Sequence, residues 1–234
     1  MAEKVMTTVG NAQIDTAQSK FGGASGLFDG TGDYLTTPGD VSDFSFGSAV
    51  FTIDCWVRFA ALSGPSVIIG NFKTGDTPRA YIFYYNHGST ELRFGYCENG
   101  ADTPITASGT WSPSVDTWYH VAVIRTGDTI RLFVDGSQVG SDASVTAGAT
   151  INAIPAGKLL HIAQEGNGSY VNGWIDELRV SKGIARWITT FTPASSAYSS
   201  DAQTVLLLHM DGTDASTTFT DSSAQISNSN FLIF

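Results

Sequence analysis

Apolar residues alternate with polar or small residues over several short stretches of this chain, which is the period-two pattern of a β-strand with one buried face. The clearest case is residues 118–136, in which Val121 and Val123 share one face of a predicted strand. Residues 126–129 (Thr-Gly-Asp-Thr) predict a reversal of the chain, and a second alternating run follows at 130–134. The pattern therefore predicts a β-hairpin whose strands are at least half buried.

Related patterns predict the elements around this hairpin. Residues 51–59 and 172–180 show alternation too and are candidate neighbours of the hairpin. Weaker patterns in the first half of the chain predict a polar lead-in with at most one edge strand at 1–20, strand–turn–strand at 21–35 and a strand at 67–70. Further along, they predict a hairpin at 80–100, a long loop or short strand at 99–116 and a strand at 158–164. Residues 181–193 predict one helical turn that packs Ile184 and Trp187 against the end of the fold.

Composition agrees with a β-rich fold. The chain has 234 residues, is 42% hydrophobic, contains 25 glycines and shows no long stretch of helical periodicity. A chain of this length buries about 70% of its unfolded surface around one core. We therefore predict a single all-β domain.

Charge and hydropathy exclude some classes of partner. The 22 acidic and 12 basic residues give a formal net charge of −10, without a visible basic patch, so nucleic acid is not an expected partner. No run approaches the ~18 apolar residues that span a bilayer, and the first residues have no apolar core of signal-peptide length. We expect neither membrane insertion nor secretory export. Cys55 lies in an apolar strand and is predicted to be a buried free thiol rather than a disulfide partner of Cys97.

Four fragments occur in an informative order. They are FDGTGDYL (28–35), FTIDCWVRF (51–59), TWYHVAVIRTGDTIRLFVDG (117–136) and GWIDELRVSKGIARW (173–187). Together they resemble the laminin-G-like members of the concanavalin A-like lectin and glucanase superfamily, of the type found in phage and bacterial tandem-repeat surface proteins. The resemblance covers about residues 20–195 and implies an antiparallel jelly-roll sandwich of two sheets.

The C-terminal part of the chain departs from this pattern. A segment like TVLLLHMDGTDASTTFTDSS (204–223) begins a domain in the tandem proteins that the chain resembles, whereas here it comes last. We interpret residues 1–234 as one circularly permuted domain, in which 204–234 supplies the first strand and a terminal tail. We expect 204–212 to dock beside the strand at 173–180 of the same chain, and we place contact between copies, hence a homo-oligomer, in 225–234. The alternative is that the tail completes a neighbouring copy.

The sequence does not carry the expected signs of catalysis. The resemblance implies, for a glucanase, a Glu-x-Asp-x-(x)-Glu strand with two carboxylates on one face. The five glutamates, at 3, 91, 98, 165 and 177, are never followed by Asp two positions later. Asp176 and Glu177 are adjacent and are expected to face opposite ways in a strand. The histidines, at 87, 120, 161 and 209, lack zinc-ligand spacing, and all but His87 are predicted to be hydrogen-bonded in or near the core. We predict no catalytic residues and no enzyme.

Aromatic and amide side chains in predicted loops are candidates for sugar binding, since aromatic faces stack on sugar C–H groups and amides bind hydroxyls. The candidate ligand-binding residues are Tyr84, Tyr85, Asn86, His87, Trp111, Asn167 and Tyr170. The alternative is that these aromatic residues are partly buried at the rim of the core.

A bound Ca²⁺ is a further expectation. Analogous jelly rolls clamp their first and last strands with such an ion, which would place it where Asp211 approaches Asp176. The alternative is that Asp211 starts an Asp-Gly turn and Asp176 pairs with a basic side chain.

The function that we expect is a non-enzymatic binding or assembly module on a phage or phage-like virion surface. It would be a tail or fibre adhesin or a capsid decoration protein, synthesised in the cytoplasm, with a glycan or host surface polysaccharide and virion proteins as partners. The first alternative is a purely structural protein that links copies into an array or filament through its C-terminal tail. The second is a divergent polysaccharide hydrolase.

Overall fold

The computed structural model describes residues 4–73, 75–166 and 168–223 and confirms an all-β fold. The strands are β1 (Thr7–Val9), β2 (Gln13–Asp15), β3 (Ser25–Asp29), β4 (Tyr34–Thr36), β5 (Phe51–Phe59), β6 (Ser66–Asn71), β7 (Tyr81–Asn86), β8 (Glu91–Tyr96), β9 (Ile105–Thr110), β10 (Trp118–Thr126), β11 (Thr129–Val134), β12 (Ser137–Ser144), β13 (His161–Ile162), β14 (Asn172–Lys182) and β15 (Thr204–Leu208). A 3-10 helix spans Ser42–Phe44. No helix in these ranges is long and apolar enough to cross a membrane.

The strands form two antiparallel sheets packed as a jelly-roll sandwich. One sheet has the order β1-β4-β13-β6-β7-β8-β9, and we call it the seven-stranded sheet. The other has the order β12-β11-β10-β5-β14-β3-β2, with β15 paired to β14, and we call it the eight-stranded sheet. The predicted strand–turn–strand at 21–35 joins the two sheets, because β3 lies in one and β4 in the other.

The predicted central hairpin is confirmed. Strands β10 and β11 pair in register from Val121 with Val134 to Thr126 with Thr129, and β5 lies beside β10. Strand β14 pairs with the other edge of β5. The two candidate neighbours therefore lie at the centre of the eight-stranded sheet, where burial on both faces favours apolar side chains.

The core lies between the two sheets and follows the alternation of the strands. Tyr81, Phe83 and Tyr85 of β7 point into it and are almost completely buried. Phe51 of β5 reaches across the interface, with its ring centroid 5.6 Å from that of Phe94 in β8. Cys55 is buried with a free thiol, as predicted, and Cys97 is buried and free as well.

Two glycines allow the edges of the sheets to meet at β9 and β12. A Cβ atom at Gly109 would lie 2.4 Å from the carbonyl carbon of Val139, and one at Gly140 would lie 2.2 Å from the carbonyl oxygen of Ser108. No side chain fits at such a distance from backbone atoms. Gly140 also has a φ of +72°, which favours glycine.

The C-terminal segment docks in its own chain, as we expected. Strand β15 pairs with β14, with Leu206 opposite Val180 and Leu208 opposite Leu178. The chain then continues along the β1 and β2 edges, where the Met6 amide donates to the carbonyl of Phe219 at 2.9 Å. The predicted contact between copies falls in 225–234, which lies outside the described residues.

Three predictions of local structure were wrong. Strand β13 is only two residues long instead of spanning 158–164, because Lys158 closes a turn with Pro155 and the Leu160 amide bonds to the Thr37 hydroxyl. The described part of the lead-in, residues 4–20, contains two short strands rather than at most one. Residues 181–193 contain no helix, because their amides bond to other elements. The Phe191 amide, for example, donates to the carbonyl of Gly136.

Candidate functional site

The outer face of the eight-stranded sheet is covered by its own chain. Residues 183–200, which we call the strap, cross this face after β14. Trp187 and Phe191 stack on each other at 3.9 Å between ring centroids and pack over Ala122 and Phe133. Tyr198 packs at the other end of the strap against Trp56 and Leu207. The strap therefore covers the parts of this face around Ala122, Phe133 and Trp56.

The outer face of the seven-stranded sheet carries a depression of about 290 Å³, which we call the face depression. It is lined by Pro65, Val67, Phe72, Ile82, Tyr84, Asn86, Gly95, Pro104, Thr106, Glu165 and Ser169. Residues 82, 84 and 86 are the alternate positions of β7, opposite in direction to those that fill the core. The same alternation that buries Tyr85 therefore directs Tyr84 outward.

A second depression of about 230 Å³ adjoins the first at the loop end of the sandwich, and we call it the loop depression. It is lined by Gly30, Ala61, Ser63, Gly64, Pro65, Ser66, Gly168, Ser169, Tyr170 and Asn172. Pro65 and Ser169 line both depressions, so the two are contiguous. We call the pair the groove.

Neighbouring side chains hold the aromatic residues of the groove. Tyr84 lies opposite Arg93 in the register of β7 and β8, and a hydrogen bond between these two side chains is the main cause that raises the pKa of Arg93. The ring of Tyr170 lies 6.5 Å from that of Tyr34, which in turn lies 5.4 Å from the ring of His161. Tyr84 and Tyr170 remain partly exposed.

The groove brings together three of the seven residues predicted to bind a ligand. Tyr84 and Asn86 line the face depression, and Tyr170 lines the loop depression. His87 is exposed in the β7–β8 turn but lines neither depression. Asn167 lies outside the described residues.

Tyr85 and Trp111 correct our prediction of exposed stacking faces. Tyr85 is 1% exposed and Trp111 is 9% exposed. Their ring centroids lie 5.2 Å apart, and both rings pack against Phe59. Residues 105–110 form β9, the short strand that we gave as the alternative to a long loop, and this strand places Trp111 in the core. Both residues therefore stabilise the sandwich.

Sequence reasoning missed several residues of the groove, including Phe72, Ile82, Pro104 and Thr106. Ile82 lies two positions before Tyr84 in the same strand, so the alternation predicts that both side chains point to the same face. Phe72 and Pro104 lie in irregular segments, where no periodicity indicates direction. Only the folded chain brings them beside β7.

The charges of Asp176 and Asp211, the two residues of the calcium expectation, interact with each other. Asp176 is fully buried, and its Oδ2 accepts hydrogen bonds from the amides of Lys20 at 2.7 Å and Phe21 at 3.1 Å. Its Oδ1 is buried without a protein partner. Burial raises the pKa of Asp176 to about 7, and the charges of Glu177 and Asp211 add to this effect.

These residues fit a calcium ion in part. Asp176 Oδ1 and the Asp211 carboxylate supply oxygen ligands of the kind that Ca²⁺ prefers, and backbone carbonyls and water would have to complete the six to eight that it takes. Within the described ranges, no group of three or more His, Cys, Asp or Glu side chains is arranged to hold a metal.

A β-bulge changes the expected directions of Asp176 and Glu177. The register between β14 and β5 shifts between Asp176 and Arg179, and Glu177 has a φ of +53°. Simple alternation therefore fails at this point. Glu177 is buried, and its carboxylate contacts His209 Nδ1 at 2.8 Å and accepts a hydrogen bond from the Tyr198 amide.

Comparison with known proteins identifies the type of domain. The family model Laminin_G_3, described as concanavalin A-like lectin/glucanases superfamily, matches residues 29–185, which is more than half of the chain. Pentraxin-related protein PTX3 from Bos taurus is 30% identical over 133 residues, which are 54% of this chain and 31% of that protein. The chain thus spans about a third of the length of this curated relative. The resemblance to the laminin-G-like members of this superfamily is confirmed.

Solved structures of similar fold include carbohydrate-binding proteins. A protein assigned as carbohydrate-binding, from Bacteroides ovatus ATCC 8483, matches with a TM-score of 0.52 and 13% identity over 94% of this chain and 58% of that one. Domain 4 of the arabinanase AbnA from Geobacillus stearothermophilus, solved with arabinotriose, matches with a TM-score of 0.50 and 15% identity over 75% of this chain and 77% of that one. The CBM40 of a Ruminococcus gnavus sialidase matches with a TM-score of 0.51 and 12% identity over 80% of this chain and 92% of that one. At these identities the likeness shows the fold alone.

Proposed function

Since this chain belongs to the concanavalin A-like lectin and glucanase superfamily, we propose that it is a non-catalytic module that binds glycans in the groove. The observation that carries this proposal is the contiguous groove on the outer face of the seven-stranded sheet, with Tyr84 and Tyr170 in its two parts. Each depression is close to the lower end of the volumes of small-molecule sites, about 300 Å³, which suits one or two sugar units in each.

The chemistry of the groove matches that of a sugar. Tyr84 offers a partly exposed aromatic face beside the apolar side chains of Val67 and Ile82, which suits the C–H face of a pyranose ring. Asn86 in the face depression and Asn172 in the loop depression offer amide donors and acceptors for hydroxyl groups.

The placement of the carboxylates supports a role without catalysis. Glycoside hydrolysis needs two carboxyl groups that flank an accessible sugar bond. Asp176 and Glu177 are completely buried in β14, and both accept hydrogen bonds from backbone amides. Among the described residues, Glu165 is the one carboxylate that lines the groove. Turnover of polysaccharides such as laminarin or agarose above that of a heat-inactivated control would contradict this part of the proposal.

A glycan array followed by calorimetry tests the binding proposal. We expect the wild-type protein to bind at least one glycan and Tyr84→Ala to lose at least tenfold in affinity, with an unchanged circular dichroism spectrum. His87→Ala is the matched control, because His87 is exposed in the same hairpin but does not line the groove. A blank array, or equal affinities of the wild type and Tyr84→Ala, would contradict the proposed site.

We propose further that the module acts on a virion surface, as a tail or fibre adhesin or as a capsid decoration protein. The support for this location is the resemblance of the sequence to phage and bacterial tandem-repeat surface proteins. Mass spectrometry and immunogold labelling of purified particles from the source test it. Absence of the protein from particles would contradict this location and leave the glycan proposal intact.

The structural alternative, in which copies form an array through the tail, makes a different prediction. It requires large assemblies of the purified protein and no glycan binding. Strand β15 pairs with β14 of its own chain, so this strand is not free to pair with a neighbouring copy. Native mass spectrometry of the full chain distinguishes an array from a monomer or a small oligomer.

A calcium ion bound by Asp176 and Asp211 is also part of the proposal. The support is the unpartnered, buried Oδ1 of Asp176, together with the charge interaction of Asp176 with Asp211. The ion would neutralise the two charges and connect β14 to the segment that follows β15. It would thus act on stability rather than in the groove.

A further inference from the structure

We propose that the groove binds an internal segment of a linear polysaccharide, in an extended conformation and over three or more consecutive sugar units. This inference rests on the proposed glycan-binding function and names the class of glycan that suits the same groove. It follows from the path of the groove across the sheet, from three aromatic side chains along that path and from the exposure of both ends.

The face depression crosses four neighbouring strands of the seven-stranded sheet. Its lining residues include Val67 of β6, Ile82 of β7, Gly95 of β8 and Thr106 of β9. Ile82 lies opposite Gly95, and Gly95 lies opposite Thr106, so these three residues form one row across the sheet. Neighbouring strands are about 4.8 Å apart, so the depression extends over about 14 Å from β6 to β9. This length exceeds that of a single sugar ring, and the loop depression continues it past Pro65, which precedes β6.

Three partly exposed aromatic side chains lie along this path. Phe72 and Tyr84 line the face depression, and Tyr170 lines the loop depression. An aromatic ring packs well against the C–H face of one sugar unit, and such flat contacts recur along a linear chain of similar units. One sugar unit for each ring gives three units as the smallest segment that uses the whole groove.

Neighbouring residues hold the ring of Phe72 in place at its end of the groove. A Cβ atom at Gly95 would lie 3.8 Å from Phe72 Cζ, so this ring, which follows β6, reaches across β7 as far as β8. The guanidinium of Arg79 lies 4.9 Å from the ring centroid, and its Nε donates a hydrogen bond to Asp102 Oδ1 at 2.8 Å. A ring that is already positioned loses little conformational entropy when a ligand binds, which favours affinity.

Exposed residues line both ends of the groove. Pro104 and Thr106 are exposed at the β9 end of the face depression. Ser63 and Gly168 are exposed in the two loops at the far end of the loop depression. A site for a chain terminus would enclose the terminal sugar, whereas the outermost units in this groove would lie beside solvent. A polysaccharide can therefore continue beyond the groove in both directions.

The dependence of affinity on chain length tests the inference. When one unit is bound, the next unit of the same chain is at a high effective concentration over the next ring, so affinity should rise with length until all three rings are in use. The probes are cello-, xylo-, manno- and laminari-oligosaccharides of one to six units, measured by calorimetry. In the series that binds, we expect at least a tenfold gain in affinity from two to four units and less than a twofold gain from four to six.

Modification of the chain end distinguishes an internal segment from a terminus. Borohydride reduction opens the terminal ring of a hexasaccharide, and we expect it to change the affinity less than twofold. The parent polysaccharide should bind with an affinity per site close to that of the hexasaccharide. A disaccharide that binds as tightly as the tetrasaccharide, or a hexasaccharide that no longer binds after reduction, would overturn the inference while the glycan-binding function stands. Array binding that requires the terminal sugar of a branched glycan would do the same.

Substitution of the two outer rings tests their part in this length dependence. We expect Phe72→Ala and Tyr170→Ala each to reduce the gain from two to four units at least threefold, with unchanged circular dichroism spectra. His87→Ala should keep the full gain, because His87 is exposed but does not line the groove. A full gain in either ring variant would overturn the inference. Failure of the wild type to bind any glycan would overturn the proposed function and the inference with it.

Discussion

The guanidinium of Arg179 donates two hydrogen bonds to the carboxylate of Asp54, from Nε to Oδ1 at 3.0 Å and from Nη2 to Oδ2 at 2.8 Å. Both residues are buried on the outer face of the eight-stranded sheet, beneath the strap. His120 Nε2 contacts the same carboxylate at 3.4 Å. Tyr198 covers the pair, with its ring centroid 4.1 Å from the Arg179 guanidinium carbon. This ion pair therefore lies between the sheet and the strap.

Removal of one member of this pair should be costly. We expect Asp54→Asn to lower the free energy of unfolding by about 3–5 kcal/mol, because an uncompensated guanidinium stays buried. Asp142→Asn, which breaks the surface pair with Arg131, should change stability by about 1 kcal/mol or less. Urea denaturation measures both. Equal effects of the two substitutions would contradict a special role for the buried pair.

Asp54 should also contribute to acid denaturation. Burial acts to raise its pKa, but the hydrogen bond with His120 and the charge of Arg179 outweigh it and hold the pKa below the ordinary value of 3.8. A carboxyl group with a lowered folded pKa contributes stability above its unfolded pKa and loses it as the pH falls through the folded pKa. We expect the free energy of unfolding to fall below about pH 4. The decline should be shallower in Asp54→Asn, and parallel curves for the two proteins would contradict this.

The adjacent residues Tyr84 and Tyr85 should behave in opposite ways. Tyr85→Ala removes a ring from the core beside Phe59 and Trp111, and we expect it to lower stability by about 3–5 kcal/mol. Tyr84→Ala removes a partly exposed ring, so it should lose glycan affinity with a stability change of about 1 kcal/mol. Thermal melts and calorimetry on the two variants measure this separation. A stable Tyr85→Ala protein would show that the ring is not part of the core.

Truncation tests the contribution of the C-terminal strand. Deletion of 204–234 removes β15 and exposes the edge of β14, together with the core space that Leu206 and Leu208 fill, so we expect the protein to unfold. Deletion of 225–234 removes none of the described contacts and should leave a folded and more monomeric protein. Circular dichroism and size-exclusion chromatography distinguish the two. A folded monomer without 204–234 would show that β15 is not needed to complete the sandwich.

Calcium should stabilise the protein if Asp176 and Asp211 bind it. A ligand that binds only the folded state at 100 times its Kd adds about 2.7 kcal/mol, so the melting temperature should be higher in millimolar Ca²⁺ than in EDTA. Asp176→Asn should abolish the difference, whereas Asp128→Asn should preserve it. Equal melting temperatures of the wild type in Ca²⁺ and EDTA would count against the ion.

Much of the fold was predictable because the direction of a side chain in a strand is a local property. Alternation located β5, β10, β11 and the β7–β8 hairpin. Residues 204–234 were predicted to supply a strand, and β15 (Thr204–Leu208) is that strand. Because side chains alternate between the two faces of a strand, a few consecutive residues are enough to predict the face to which each one points.

The sequence alone did not determine which face of each sheet is open. The strap covers one outer face, and it pairs with elements distant in sequence, so no local pattern indicates its course. The groove unites residues of β7 with Pro104 and with Tyr170, which are brought together only by the order of strands in the sheet. The bulge at Glu177 likewise arises from pairing between strands. Local periodicity thus determined the strands, whereas long-range packing decided which side chains reach solvent and form the site.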